Sequence, residues 1–209
     1  MRNGTKKSNR GRGRPPSYDR EAALDAIRDV FWEKGFAATA LDDLVAAAGM
    51  NRPSLYGAFG DKQAMYQTIL ERTASLFDER YSAIFEQDPD IVRALKRFYS
   101  KAIDQYLSGN DGQRGCLFVS TAATEAYANP DVRAFLSAML ASIDAKFVQW
   151  LENAQKSNGL DIDLEPEVLA MHASAILHSL GLRARAGEPK SKLLAMANGW
   201  VDMMFTMPK

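Results

Sequence analysis

Two groups of residues in this 209-residue chain have the types and spacing to do chemistry. The first is Asn51, Arg52, Pro53, Ser54 and Tyr56, followed by Lys62. Short polar groups and one arginine crowded into a single helical turn suit hydrogen bonding in a DNA major groove, where arginine reads guanine. The second is Gly11-Arg12-Gly13-Arg14-Pro15. An extended Arg-Gly-Arg can lie along a narrow A·T minor groove, because glycine allows close approach and narrow grooves attract arginine. A generic basic tail that raises nonspecific affinity is an equal reading of Arg12 and Arg14. Catalytic chemistry has less to stand on. No nucleophile elbow, phosphate loop, zinc-spaced cluster or dinucleotide fingerprint is present. Cys116 is the single cysteine, so no intramolecular disulfide forms, and a lone thiol fits a reducing cytoplasm. His172 and His178 are six residues apart and point about 120° away from each other on a helix, so one face cannot offer both to a metal. A thiol hydrolase using Cys116 and a histidine, or a soft-metal or redox site of Cys116 with His172, are the rival chemistries. The expectation is a non-enzyme with no metal and no cofactor.

The elements that position the first group are helices. Asp19 is an N-cap, and Ala22, Ala23, Leu24, Ile27, Val30 and Phe31 follow at helical spacing until Gly35. Thr39 is expected to cap the next helix, with Asp42 three residues on completing a capping-box-like pair. Gly49 ends that helix. Asn51 starts another with Pro53 in its first turn, where the missing N–H costs little. Leu41, Leu44 and Val45 face inward, Ala46-Ala47-Ala48 keeps the crossing small, and Leu55 and Phe59 dock the second helix. Two short helices joined through a tight glycine turn make a helix-turn-helix. Asp61 caps a longer helix. Asp88-Pro89, Asn129-Pro130-Asp131, Glu165-Pro166-Glu167 and Pro189 open four more, and Cys116 to Tyr127 reads as helical. No period-2 strand pattern occurs. The fold class is therefore all-α, with about nine helices. Its domains are a basic arm over 1–16, a DNA-binding helix-turn-helix unit over 17–62, and a ligand-binding and dimerisation domain over 63–209.

The stretch from Asp19 to about Tyr66 resembles the TetR family of bacterial regulators. The resemblance rests on Phe31-Trp32-Glu33-Lys34-Gly35-Phe36, Thr39, Leu44, Ala47-Ala48-Gly49, Leu55-Tyr56, Phe59 and Lys62. Arg114-Gly115-Cys116-Leu117 and the segment Gly181 to Gly187 are similar to those of one branch of the family. The resemblance implies a repressor that a small-molecule effector releases from a near-palindromic operator. It also implies that Tyr56 and Lys62 touch phosphates. Thr39 and Asn51 would cap helices whose N-terminal amides face phosphates, and Arg52, Pro53 and Ser54 would read bases. Where many relatives carry a bulky pair after the tyrosine, this chain has Gly57-Ala58, so base contact from that turn is expected to be thinner.

Charge distribution bears on how such a protein would hold DNA. Net charge is zero, yet residues 1–20 carry seven positives against one negative, leaving the remaining 189 residues acidic. Between Phe36 and Lys62 the net is −1. Phosphate neutralisation supplies much of protein–DNA affinity, so the arm is the natural source of grip. Removing residues 1–14 should weaken operator binding and flatten its salt dependence. The competing reading is a nonspecific architectural DNA binder using this AT-hook-like arm, and it predicts no sharp footprint. The acidic body and the large apolar C-terminal region speak against it.

The C-terminal region suggests a sensor and a dimer. The helix from Pro166 to Gly187 is apolar nearly all round, so it must be covered on more than one face. Paired with the last helix (Leu193, Met196, Trp200, Met204) against a twin, it would make a four-helix homodimer interface. A pocket for a small hydrophobic or amphipathic ligand is expected among Tyr99, Cys116, Thr121, Glu125, Met139, Phe147, Trp150 and His172, with Phe98, Ile103, Phe118, Phe135 and Met171 as further apolar lining and core packing as the plainer reading of any one of them. The longest uncharged apolar stretch, Val168 to Leu182, has 15 residues and is too short and polar for a membrane span. A cytoplasmic location is expected.

Overall fold

The structure is a computed structural model that describes residues 18–109, 112–158 and 164–205. Among them are nine α-helices, one π-helical turn and no strand. The expected arginine arm lies outside the described residues.

Helix α1 (Arg20–Ala38) starts where the Asp19 carboxylate accepts from the N–H groups of Glu21 and Ala22. Its buried stripe is Ala23, Leu24, Ile27 and Phe31, joined by Trp32. Gly35 breaks the helical path at φ 77°, a conformation that glycine adopts without steric cost. The kink turns the chain into α2 (Leu41–Ala48), and Gly49 passes it to α3 (Arg52–Phe59). Leu44 and Leu55 are fully buried beneath this pair. Asp61 caps α4 (Lys62–Gln87), whose 26 residues reach about 39 Å. Its first half packs Met65, Tyr66, Ile69 and Leu70 into the core beside α1, and its second half contributes Tyr81 and Ile84. One continuous helix therefore belongs to both the head and the body.

The body is organised around α5 (Ile91–Tyr106), capped by Asp90. Eight of its residues are buried, and it packs against α4, α7 (Pro130–Asn158), α8 (Pro166–Arg185) and α9 (Lys190–Phe205). Phe98 lies at the centre, with the rings of Phe77, Tyr81, Phe85, Tyr99, Phe147 and Trp150 all within 6.0 Å between centroids. Helices α7 and α8 pack on each other, as do α8 and α9.

The segment expected to be one plain helix from Cys116 to Tyr127 is not. It holds a π-helical turn, Phe118–Ala122, and one short turn, α6 (Ala123–Glu125). Within it the Thr121 hydroxyl donates to the Leu117 carbonyl at 2.7 Å and meets Tyr66 Oη at 2.8 Å. Such turns insert where packing overrides regular helix geometry. Next to this turn the segment runs close to α8 at Gly115 and Gly181. A Cβ on Gly181 would stand 2.6 Å from the Cys116 Cβ, and one on Gly115 would stand 2.8 Å from the Gly181 carbonyl oxygen. The two glycine-containing segments meet backbone to backbone.

Candidate nucleic-acid interface and candidate ligand cavity

Helix α3 owes its exposure to its own composition. Leu55 and Phe59 are buried, whereas Asn51, Arg52, Pro53, Ser54, Tyr56 and Gly57 face outward. The Asn51 side chain accepts from the Ser54 N–H at 2.9 Å, so it caps the helix as expected. Tyr56 is 46% exposed. The first turn thus presents a row of exposed, mostly short polar groups.

Arg52 and, at the start of α4, Lys62 have neighbours that the sequence did not reveal. The Arg52 guanidinium is tied to the Asp42 carboxylate of α2 at 2.6 Å, with both side chains largely exposed. Lys62 lies over the Phe36 ring, 4.4 Å from its centroid. Its ammonium is therefore held beside the kink after α1 rather than left free in solvent.

Thr39 differs from expectation. It does not cap α2: its hydroxyl donates to the Gly35 carbonyl at 2.6 Å, and the residue is buried. The N-cap of α2 is Ala40, whose N–H is accepted by Asp43 at 3.0 Å. Asp43 takes the role expected of Asp42, because the Gly35 kink shifts the helix start by one residue and recruits the Thr39 hydroxyl to close it. Asp42 is then free to hold Arg52.

A cavity of about 250 Å³ lies at the junction of α1, α4, α5, α7 (through Ile143) and α8. Arg28 and Trp32 come from α1, Phe77, Arg80 and Tyr81 from α4, Tyr106 from α5, and Leu177 and His178 from α8; Arg114, Cys116 and Phe118 complete it. Of the expected pocket residues, Cys116 and Phe118 line it. Burial pushes the Cys116 thiol up, opposed by hydrogen bonds from the Val119 and Phe118 backbone and from Tyr106. Burial also lowers His178, opposed by the charge of Asp144.

The remaining expected pocket residues lie elsewhere. Tyr99 is buried and donates to the Ala173 carbonyl at 2.9 Å. Thr121 is engaged with Tyr66, and burial pushes that tyrosine up to about 12. Met139 borders a separate void of about 60 Å³. Phe147 and Trp150 belong to the aromatic core around Phe98. Glu125 is only partly buried, and His172 is exposed. A Cys116–His172 site is also excluded by distance. Cys116 packs on Gly181, which lies nine residues, or about 13 Å, along α8 from His172. Helix phase decided these outcomes: His178 turns inward on α8 and His172 outward. No group of three or more His, Cys, Asp or Glu side chains among the described residues could hold a metal ion.

Head and body are joined around the cavity by arginines. Arg114 pairs with Asp29 of α1, and its guanidinium lies 4.3 Å from the centroid of the Trp32 ring. Arg28 pairs with Asp25 and Asp29. Arg185, at the end of α8, donates to the carbonyls of Trp32 at 3.1 Å, Arg114 at 3.1 Å and Glu33 at 2.9 Å. The two motif segments around Cys116 and Arg185 thus form one strap across the head–body junction.

An outward apolar face remains on the last two helices, where Val168, Met171, Leu182 and Met203 are 42–60% exposed. Leu193 is buried within the chain, and Trp200 packs edge-on against Tyr99. No helix of the described residues is long and apolar enough to cross a membrane.

Comparison with known proteins places this arrangement. Residues 23–69 match the bacterial regulatory proteins of the tetR family, and residues 92–198 match the tetracyclin repressor-like C-terminal domain. The HTH-type transcriptional repressor ComR of Escherichia coli is 29% identical over 189 residues, covering 90% of each chain. The repressor BdcR of the same organism is 32% identical over 113 residues, covering 54% of this chain and 57% of its own. Among solved structures, a cysteine mutant of the TetR-family regulator CifR, complexed with 26-bp operator DNA, has a TM-score of 0.82 at 26% identity. That match covers 93% of this chain and all of the CifR chain. The reduced form of Escherichia coli NemR shares the fold, with a TM-score of 0.77 at 23% identity over 90% of this chain and 98% of its own.

Proposed function

The chain belongs to the TetR family of bacterial regulators and is a DNA-binding transcriptional repressor; from that premise we propose how it reads and releases DNA. The observation that carries the reading is the outward face of α3. Its Asn51–Tyr56 turn is polar and exposed, on a helix anchored from beneath by Leu55 and Phe59. Arg52 is the base reader, supported by Pro53 and Ser54 in the same turn. The α3 N-terminus capped by Asn51 faces a phosphate, and Tyr56 and Lys62 contact phosphates on either side. Thr39 contributes by holding the Gly35 kink through its hydroxyl rather than by touching DNA. Arg12 and Arg14 add charge and follow the adjacent minor groove.

The protein acts as a homodimer through the exposed apolar face of α8 and α9, where burying Val168, Met171, Leu182 and Met203 drives association. Two copies then place two α3 helices one DNA turn apart, reading half-sites about 10 bp apart centre to centre. Residues 63–209 serve as the effector-binding and dimerisation domain, and a small molecule in the cavity releases the operator. The protein has no catalytic role and works in the cytoplasm, on the chromosome.

Footprinting on DNA flanking the gene tests this reading. A sharp, two-fold protected site is expected, and Arg52→Ala should weaken it about tenfold or more while leaving nonspecific binding nearly unchanged. Uniform coverage without a footprint would instead support the architectural reading.

A further inference from the structure

We propose that the cavity between α1, α4, α5, α7 and α8 takes a small amphipathic anion, a carboxylate on an apolar body, and that its charge competes with Asp29 for Arg114. This rests on the repressor reading and names the class of its effector. Three arginines, Arg28, Arg80 and Arg114, line the cavity beside His178, and no carboxylate lines it, although Arg28 and Arg114 reach Asp25 and Asp29 outside it. The rest of the wall is largely apolar and aromatic, with Phe77 among it. At about 250 Å³ the space is smaller than most ligand pockets, which suits one ring or a short chain with one charged end.

Two buried polar atoms at this wall have no hydrogen-bond partner: Nε1 of Trp32, a residue only 3% exposed, and Nε2 of His178. Buried donors are nearly always satisfied, so an orphaned indole N–H in a cavity wall marks where a ligand acceptor belongs. Arginine offers the forked donor geometry that fits a carboxylate. Arg80 is already poised there, held by the neutral Gln105 side chain at 3.0 Å.

The regulatory consequence follows from where the arginines attach. Arg114 pairs with Asp29 and stacks on Trp32, and both of these belong to α1 of the reading head. A second carboxylate on Arg114 draws it from Asp29 and loosens the strap that sets the head against the body. A ligand shifts an equilibrium only by its differential affinity for the two states. Here the difference is the Asp29 pair, which the anion replaces in one state and must displace in the other.

The test is calorimetric titration of the full-length, DNA-free protein with phenylacetate, benzoate and hexanoate, and with the amides of the same three acids. At least one carboxylate should bind below about 10 mM, and its amide about tenfold more weakly or worse. Arg114→Gln should erase that preference. If that variant fails to fold, Arg80→Gln reads the same preference. Equal binding of acid and amide, or no binding by any of the three acids, overturns the proposal, and so does binding of sulfate as tight as that of the acids. A carboxylate that binds selectively yet leaves operator affinity unchanged overturns the competition with Asp29. Selective binding by a protein that gives no footprint supports the site and overturns the repressor reading, so the two failures are distinguishable.

Discussion

Replacing Arg185 by Met should unlatch the head from the body. Gly35 interrupts α1 at φ 77°, so the helix ends early, and carbonyls in its last regular turn need donors from elsewhere. Arg185 supplies them to Trp32 and Glu33, and with the same guanidinium reaches the Arg114 carbonyl. A cation in this position also opposes the negative end of the helix dipole. Methionine keeps much of the stem volume and removes every donor. Hydrogen bonds from a charged group contribute about 1.5–3 kcal/mol each. The bond to Glu33 is exposed and the guanidinium itself is partly solvated, so water recovers much of the loss, leaving about 2–4 kcal/mol. At this chain length each kcal/mol moves the melting temperature by about 2–4 °C, so the midpoint should fall by about 4–16 °C. Thermal unfolding followed by circular dichroism, at one fixed protein concentration so that any self-association contributes equally, measures it. Arg185→Lys should recover only a minor part, since an ammonium lacks the fork that spans three carbonyls. A melting point for Arg185→Met within about 1 °C of the parent would refute the strap.

Two further outcomes follow from the same junction. Gly181→Ala should cost about 1–3 kcal/mol, because the new Cβ meets the Cys116 Cβ at 2.6 Å and its backbone nitrogen at 3.2 Å; Gly57→Ala, with nothing within 4 Å, serves as the stabilising control in the same melts. Burial lowers His178 below its ordinary 6.5, against the charge of Asp144 and within a wall that also holds Arg28, Arg80 and Arg114. The unfolded chain therefore takes up this proton first as pH falls, so stability is full above about pH 6.5 and declines below it. His178→Gln should flatten that decline, and identical melting-point slopes for variant and parent between about pH 7.5 and 5.5 would show that the imidazole is not buried uncharged.

Much of this molecule is written in local chemistry. Asp19, Asn51 and Asp61 accept backbone N–H groups within three residues of themselves, so a cap is legible wherever its own turn decides it. Leu44, Leu55 and Phe59 declare a buried face through helical spacing, and that spacing alone leaves Asn51, Arg52, Ser54 and Tyr56 facing out. The helix-turn-helix, the all-α class and the resemblance to a family of regulators were therefore visible in the sequence. What was not visible depends on how helices cross. Thr39 was misplaced by one residue, because the Gly35 kink, rather than any local signal, chose Ala40 as the start of α2. The pairing of Arg52 with Asp42 spans two helices whose angle the turn sets. The cavity is the extreme case. Its walls come from five helices, α7 included through Ile143, and from the stretch between α5 and α7, and the phase of α8 turns His178 toward it and His172 away. Periodicity says which residues of a helix share a face, but only packing says which neighbour that face meets. That is why the outward face of α3 is legible from spacing alone, whereas of the expected pocket only Cys116 and Phe118 line the cavity.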